Sequence, residues 1–245
     1  MAAHSLELEE LNAKSAGIGA WVLKIHGMRC IEYEYTRQSK VQKGQKLECL
    51  LVAQSGTYCH GVIKAQYSRA RGSGGGDPAA ELKAMMDKFK NGSIFNMSKV
   101  TLADDKAEFL GAPQKICIDL RKTKCAAFLQ GAVDMPPAPA PTEELASILG
   151  LGSRQRVDFT ALIINIGDTR RETTAYGKKD IVDITIVDGS VVKGKEQQVS
   201  AKMSMYFEVT TAGAASLESM QSAHRAKEPV AMYGLTCVPQ STEKV

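Results

Sequence analysis

Two stretches of this chain, about 135 residues apart, repeat one order of elements, and self-similarity on that scale marks a duplicated domain. The first runs through Trp21-Val-Leu-Lys-Ile-His, Gln45-Lys-Leu-Glu-Cys-Leu-Leu-Val-Ala-Gln-Ser-Gly and Tyr58-Cys-His-Gly-Val-Ile. The second runs through Val157-Asp-Phe-Thr-Ala-Leu-Ile-Ile, Asp180-Ile-Val-Asp-Ile-Thr-Ile-Val-Asp-Gly-Ser and Val199-Ser-Ala-Lys-Met-Ser-Met-Tyr-Phe. Each copy reads as a long strand, a basic loop, an alternating strand, a Ser/Gly turn, a strand, a helix and a further strand. The full length of 245 residues accommodates two such units of ordinary domain size.

The local signals are specific. Trp21, Leu23 and Ile25 alternate with Lys24 and His26, the period of a half-buried strand, and Leu47, Cys49 and Leu51 do the same against Lys46 and Glu48. Residues 32–45 are polar and basic, a loop or ribbon between the first two strands. Asp77-Pro78 opens a helix with Leu82, Met85, Met86 and Phe89 at helical spacing, stopping at Asn91-Gly92. A fourth strand over 93–102, a turn at Asp104-Asp105, a fifth strand over 109–120 and a helical stretch over 121–130 complete the first copy. Met135-Pro-Pro-Ala-Pro-Ala-Pro-Thr is a proline-rich, semi-stiff linker, and 142–150 reads as a short capped helix. In the second copy Val182, Ile184 and Ile186 point inward, 216–225 fills the helix slot and 229–238 the fourth strand. A fifth strand is short or missing there, which leaves an open edge and points to a fragment, a degenerate barrel or a strand donated by a partner. Five strands with a helix between the third and fourth form the oligonucleotide-binding (OB) barrel. The expected class is therefore mainly β, with two OB-fold barrels at 17–132 and 143–245 joined by a linker at 133–142.

Charge separates the copies. Residues 1–134 hold 19 Lys and Arg against 14 Asp and Glu, whereas 135–245 hold 12 against 13. The excess concentrates in 24–71, where nine basic residues face Glu32, Glu34 and Glu48. A basic stripe on one domain is the footprint of a polyanion binder, with a merely solvated surface as the alternative. The six cysteines form no CxxC pair, and several sit in apolar strands, as expected of reduced core thiols in an intracellular protein. Cys59-His60 lacks further ligands at zinc spacing, and Asp180, Asp183 and Asp188 read as surface carboxylates. Gly72-Ser-Gly-Gly-Gly-Asp lacks the Gly-Lys-Ser/Thr ending of a phosphate loop. His4, His26, His60 and His224 have no nucleophile partner at recognisable spacing. The expectation is a protein that is not an enzyme and has no metal or cofactor. With no apolar signal core and no membrane-length apolar run, it is expected to be soluble, not secreted and not bound to membrane.

On these residues both copies resemble the tandem single-stranded-DNA-binding OB domains of the replication protein A large subunit and its relatives. The stronger likeness lies in Trp21, Gly44-Gln-Lys-Leu-Glu-Cys-Leu-Leu-Val-Ala-Gln-Ser-Gly56, Asp87-Lys-Phe, Ser98-Lys99, Thr101-Leu102 and Phe109. In the second copy it lies in 178–190 and in Glu228-Pro-Val-Ala-Met-Tyr-Gly. The resemblance covers most of 17–240, more in order and spacing than in identity. Family members stack bases on two aromatics per domain, at the end of strand three and the start of strand five. Phe109 matches the second position. The first falls on or near Ile63, which cannot stack, so Tyr58 or Tyr67 would serve only after a register change. In the second copy Tyr206 or Phe207 falls near the first position, and the second position is absent. The family's zinc-bearing third barrel has no counterpart.

The resemblance implies single-stranded nucleic-acid binding, DNA in preference to RNA, with roles in replication and repair and a nuclear location. The phosphate groove would comprise Arg29, Arg37, Lys40, Lys43, Arg69, Arg71 and Lys99 in copy one, and Arg170, Arg171 and Lys178 in copy two, where Lys179 is adjacent. Phe109, Tyr206 and Phe207 would be the stacking residues, and Tyr35 and Tyr176, inside basic loops, would add contacts. The rival reading is an assembly subunit whose OB folds bind protein, the second barrel being completed by a partner. An RNA-binding module is a third.

Overall fold

The computed structural model describes residues 7–12, 14–37, 40–64, 78–103, 109–128, 135–148, 151, 155–174, 177–191, 198–207 and 211–237. The protein is mainly β. It divides into one unit of residues 1–108 and 112–139, and a second of 109–111 and 140–245.

In the first unit, β1 (Ala20–Arg37), β2 (Lys40–Val52) and β3 (Tyr58–Lys64) form an antiparallel meander, and α1 (Pro78–Lys88) leads to β4 (Ile94–Ser98). The first residues of β1 pair with β4 (Ala20 with Ser98, Lys24 with Ile94), and the rest pair with β2. The change of neighbour is accompanied by a bulge between His26 and Arg29, where Gly27 takes φ +64°. The β1–β2 pairing continues to Arg37 opposite Lys40, so the expected basic loop is a two-stranded ribbon in its described part.

The expected fifth strand over 109–120 is broken into pieces with different partners. β5 (Phe109–Leu110) pairs in parallel with a strand of the second unit. β6 (Cys117–Asp119) runs parallel to β3, and β7 (Lys124–Ala127) runs antiparallel to β4. The helix expected over 121–130 is instead a corner followed by β7 in its described part. Local propensity favoured the helix, but pairing with β4 overrides it. The Thr123 hydroxyl fixes the corner by donating to the Asp119 carbonyl at 2.8 Å and accepting the Thr101 amide at 3.1 Å. The sheet order β6-β3-β2-β1-β4-β7 thus begins and ends with consecutive pieces of chain, the curled OB-like arrangement.

Trp21, Leu23, Ile25, Leu47, Cys49, Leu51, Ile63, Leu82, Phe89 and Met97 fill this unit's core. Met86, expected on the core face of α1, is exposed. The stretch before β1 is an integral part of the core: Leu8, in a short 3-10 helix (Leu8–Glu10), and Leu11 are buried in the same cluster, and the Trp21 indole N–H donates to the Glu7 carbonyl at 3.2 Å.

The second unit comprises α2 (Leu145–Ile148), β8 (Arg156–Ile166), β9 (Arg170–Thr174), β10 (Gly177–Val191), β11 (Gln198–Phe207), α3 (Thr211–Ala226) and β12 (Pro229–Thr236). Its strand order is β11-β10-β8-β12, with β9 on β10 and β5 on β8. Like β1, β8 changes neighbour along its length, pairing with β12 over Arg156–Leu162 and with β10 over Leu162–Ile166. Among the described residues, β11 and β12 each pair on one side only. Phe109 and Leu110 lie beside Arg156 and Val157, and Gly111 then turns away at φ +85°. A Cβ on Gly111 would sit 2.1 Å from the Asp158 carbonyl oxygen, so glycine is required there on both backbone and steric grounds.

The buried Asp158 carboxylate accepts the Gly234 amide at 2.5 Å, where Gly234 lies in the β12 bulge between Met232 and Leu235. Elsewhere in the unit, Asp188 caps α2 across the chain: its carboxylate accepts the Leu145 amide at 2.6 Å and the Ser190 hydroxyl at 2.6 Å, and Ser190 Oγ accepts the Ala146 amide at 3.1 Å.

Two measurements test these supports. Leu8→Ala empties a fully buried site and should cost about 2–5 kcal/mol in urea unfolding followed by Trp21 fluorescence. Asp188→Ala should cost about 1 kcal/mol near neutral pH, as loss of a helix cap does. Burial alone would raise the Asp188 carboxyl, but hydrogen bonds from Ser190 and from the Leu145 and Ser190 amides outweigh it and hold the group below its ordinary 3.8. A depressed carboxylate stabilises above its unfolded pKa and loses that contribution as pH falls through the folded one. The deficit of Asp188→Ala should therefore shrink between about pH 7 and about pH 3, measured by paired urea titrations.

Candidate nucleic-acid interface

Strand alternation gives β2 and β3 two distinct faces. Leu47, Cys49, Leu51, Cys59 and Ile63 turn into the core, and Gly61 packs beneath them, where a Cβ would lie 3.0 Å from Cys49 Sγ. Ile63 is therefore a core residue and not a site for base stacking. The opposite face carries Lys46, Glu48, Leu50 and Val52 on β2 and Tyr58, His60, Val62 and Lys64 on β3. Tyr58 thus lies on the outer face in the native register, with no shift required.

The register arranges this outer face in rungs across three strands: Lys24–Val52–Tyr58, His26–Leu50–His60, Arg29–Glu48–Val62 and Ile31–Lys46–Lys64. The face grades from an aromatic end to a cationic one. Tyr58 and His60 meet edge-on with ring centroids 6.1 Å apart. At the cationic end Lys46 Nζ lies 2.8 Å from one Glu48 oxygen and Arg29 Nη2 3.4 Å from the other. Arg121 donates to the Lys64 carbonyl at 3.2 Å and pairs with Glu81 of α1. Arg29 and Lys46 thus share Glu48, Arg121 pairs with Glu81, and Lys64 stands on the same rung as Lys46, which gathers four cationic side chains at this end. Glu48 is nearly enclosed at 4% side-chain exposure, whereas Arg29 keeps 41% and can still reach a ligand.

The other expected site residues distribute as follows. Tyr35, Arg37, Lys40 and Lys43 lie on the β1–β2 ribbon, continuous with the cationic end of the face. Lys99 is exposed just beyond β4 at φ 48°, away from the four rungs. Arg69, Arg71 and Tyr176 lie outside the described residues. Phe109 belongs by strand pairing to the second unit and not to the first barrel's fifth strand. Tyr206 and Phe207 end β11, opposite Ile181 and Asp180, and Lys178 is exposed on β10.

Arg170 and Arg171 have acidic partners that no sequence pattern announced. Arg170 reaches Asp183 through Nη1 at 2.6 Å and Glu172 through Nε at 2.7 Å; Arg171 clasps Asp180 through Nε at 2.8 Å and Nη2 at 3.1 Å. Hydrogen bonds from Arg170 and Ser204 hold the Asp183 carboxyl below its ordinary range, and Arg171 does the same for Asp180. Asp180 and Asp183, on opposite faces of β10, thus neutralise the arginines of β9. Lys46, Glu48, Lys64 and Arg121 are the counterpart omissions in the first unit. The signal for the first three was their shared parity on paired strands; Arg121 had none, because its position depends on the broken fifth strand.

Burial pushes the Cys49 and Cys59 thiols far above their ordinary value, and burial raises Cys125 to about 11 despite the opposing pull of Lys88. Cys59 and His60 sit on opposite faces of β3. Among the described residues no group of three or more His, Cys, Asp or Glu is placed to hold a metal ion.

The fold is OB-like. No protein-family model matches the chain, and no curated protein matches it. Among solved structures, it is similar to a chain of a replication protein A heterotrimer bound to ssDNA, at 11% identity and a TM-score of 0.44, covering 94% of this chain and 47% of that one. It is also similar to a murine DNA-binding protein bound with double-stranded DNA, at 9% identity and a TM-score of 0.34, covering 77% of this chain and 99% of that one. For p202 HIN1 in complex with a 12-mer double-stranded DNA the identity is 12% and the TM-score 0.37, covering 78% and 73%. The chain therefore spans less than half of the replication protein A chain, at 47%.

If the carboxylates of β9 and β10 quench the hairpin's positive charge, Asp180→Asn with Asp183→Asn should elute from a heparin column at higher salt than the wild type. Removing two exposed carboxylates elsewhere, at Glu144 and Glu218, controls for net charge and should shift elution less.

Proposed function

We propose that the chain is a single-stranded nucleic-acid-binding protein, DNA preferred over RNA, and that its first unit supplies most of the binding face. The observation that carries this reading is the outer face of β1–β3, where a cationic end shared by Arg29, Lys46, Lys64 and Arg121 adjoins Tyr58 and His60 in a four-rung register. Single-strand binders combine these two elements, a cationic track for phosphates and ring faces for bases. The ribbon bearing Arg37, Lys40 and Lys43 extends the track. The second unit contributes less, because Arg170 and Arg171 already have carboxylate partners. The family resemblance of the sequence supports a nuclear role in replication or repair. Binding of this kind needs no cofactor and no chemical step.

A second reading, an assembly subunit, draws on β11 and β12, each paired on one side only among the described residues. A partner strand could add there through main-chain hydrogen bonds.

Titration of the whole chain with labelled dT and rU oligonucleotides at two salt concentrations separates these readings. Contact with about five phosphates gives a log–log salt slope near −3.5, and Arg29→Ala with Lys64→Ala should flatten it by about 1.4. Absence of binding at low salt would overturn the proposal and leave the assembly reading.

A further inference from the structure

The outer face that would receive a ligand is not open at its aromatic end. Tyr58 has 0% exposure, and Leu50, Val52 and Val62 beside it are buried, yet none of the four belongs to the barrel core. The proline-rich segment that follows the barrel meets the sheet at this end. Met135 is buried at 4% exposure and likewise stands outside the core cluster. Its carbonyl accepts a hydrogen bond from Lys24 Nζ at 3.2 Å. The ring of Pro136 lies over the β2–β3 turn, where a Cβ on Gly56 would be 3.8 Å from Pro136 Cγ. Lys24 and the turn flank one rung of the sheet, Lys24–Val52–Tyr58, so Met135–Pro136 crosses the face at that rung.

We propose that Met135–Pro136 is a strap that competes with single-stranded nucleic acid for the Lys24–Val52–Tyr58 rung, so that full engagement of the first unit requires the strap to lift. The inference rests on the binding reading above. Its physical basis is that one surface serves two occupants. A base stacked on Tyr58 needs the ring face free, and a phosphate at Lys24 takes the ammonium that now holds the Met135 carbonyl. The strap is suited to reversible docking: its prolines limit the freedom lost on settling, and the described polar tie to the sheet is one hydrogen bond. A covered site lowers the apparent affinity by the fraction of molecules that are open. The strap thereby sets a threshold: a strand long enough to profit from the cationic end displaces it, and a short one does not.

The test replaces Met135, Pro136 and Pro137 by glycine in the full chain, with Met135→Ala as a milder variant should the first fail to fold. Tyr58 nitration by tetranitromethane, mapped by mass spectrometry, should be slow in the wild type and severalfold faster in the variants. If the open fraction is about one-tenth, dT affinity should rise about tenfold in the glycine variant, with a smaller rise in Met135→Ala. Unchanged nitration, or unchanged or weaker dT binding in a variant that unfolds at the wild-type urea concentration, would overturn the strap while leaving the binding reading intact. Failure of wild type and variants alike to bind dT at low salt would instead overturn the binding reading, and the competition with it.

Discussion

One strand in each unit is hydrogen-bonded on its two edges to different partners at different points along its length, and the rest of the architecture depends on it. β1 serves β4 and then β2, and β8 serves β12 and then β10. A strand that changes neighbour must bend, and local irregularities accompany the bend. In the first unit the irregularity is the bulge at Gly27. In the second they include one where β8 meets β10 and one in β12 at Gly234, whose amide is held by the buried Asp158 carboxylate. Once the sheet curls, one face closes around Trp21 or Phe159 and the other becomes the outer surface.

The two units use that outer surface differently. In the first, Arg29, Lys46, Lys64 and Arg121 gather at one end, and the nearly enclosed Glu48 is shared by Arg29 and Lys46. In the second, Arg171 pairs with Asp180 on one face of the β9–β10 hairpin and Arg170 with Asp183 on the other, so each arginine meets a carboxylate within the hairpin. The two units share a strand-helix-strand scaffold while their polar faces differ. That agrees with the fold and the site being separable properties of a chain.

Much of the scaffold was legible from periodicity. Alternation at 20–26, 46–52 and 180–188 marked strands because each has one face against a core, and the apolar spacing of α1 marked a helix for the same reason. Legibility failed where a residue's role depends on a distant partner. Nothing local distinguishes Phe109 as a piece of the second unit, since the determinant is Arg156–Val157, far along the chain. The 121–130 stretch has good helix formers, and only pairing with β4 makes a strand of Lys124–Ala127 within it. The face carrying Tyr58 was readable from parity once the register was known, and the partners of Arg170 and Arg171 were not, because a hairpin's register fixes them.

The placement of Phe109–Leu110 bears on how the protein can be dissected. The boundary between the units is not a single cut in the chain, since the loop between β4 and β6 of the first unit carries a strand of the second. A half-protein beginning at Ala140 lacks the strand beside Arg156–Val157, and a half-protein ending at Pro139 keeps that strand with nothing to pair against. An apolar strand deprived of its neighbour is an adhesive edge. Expression of the halves divided at the linker would therefore produce two sticky fragments, with an affinity for each other that the intact chain satisfies internally.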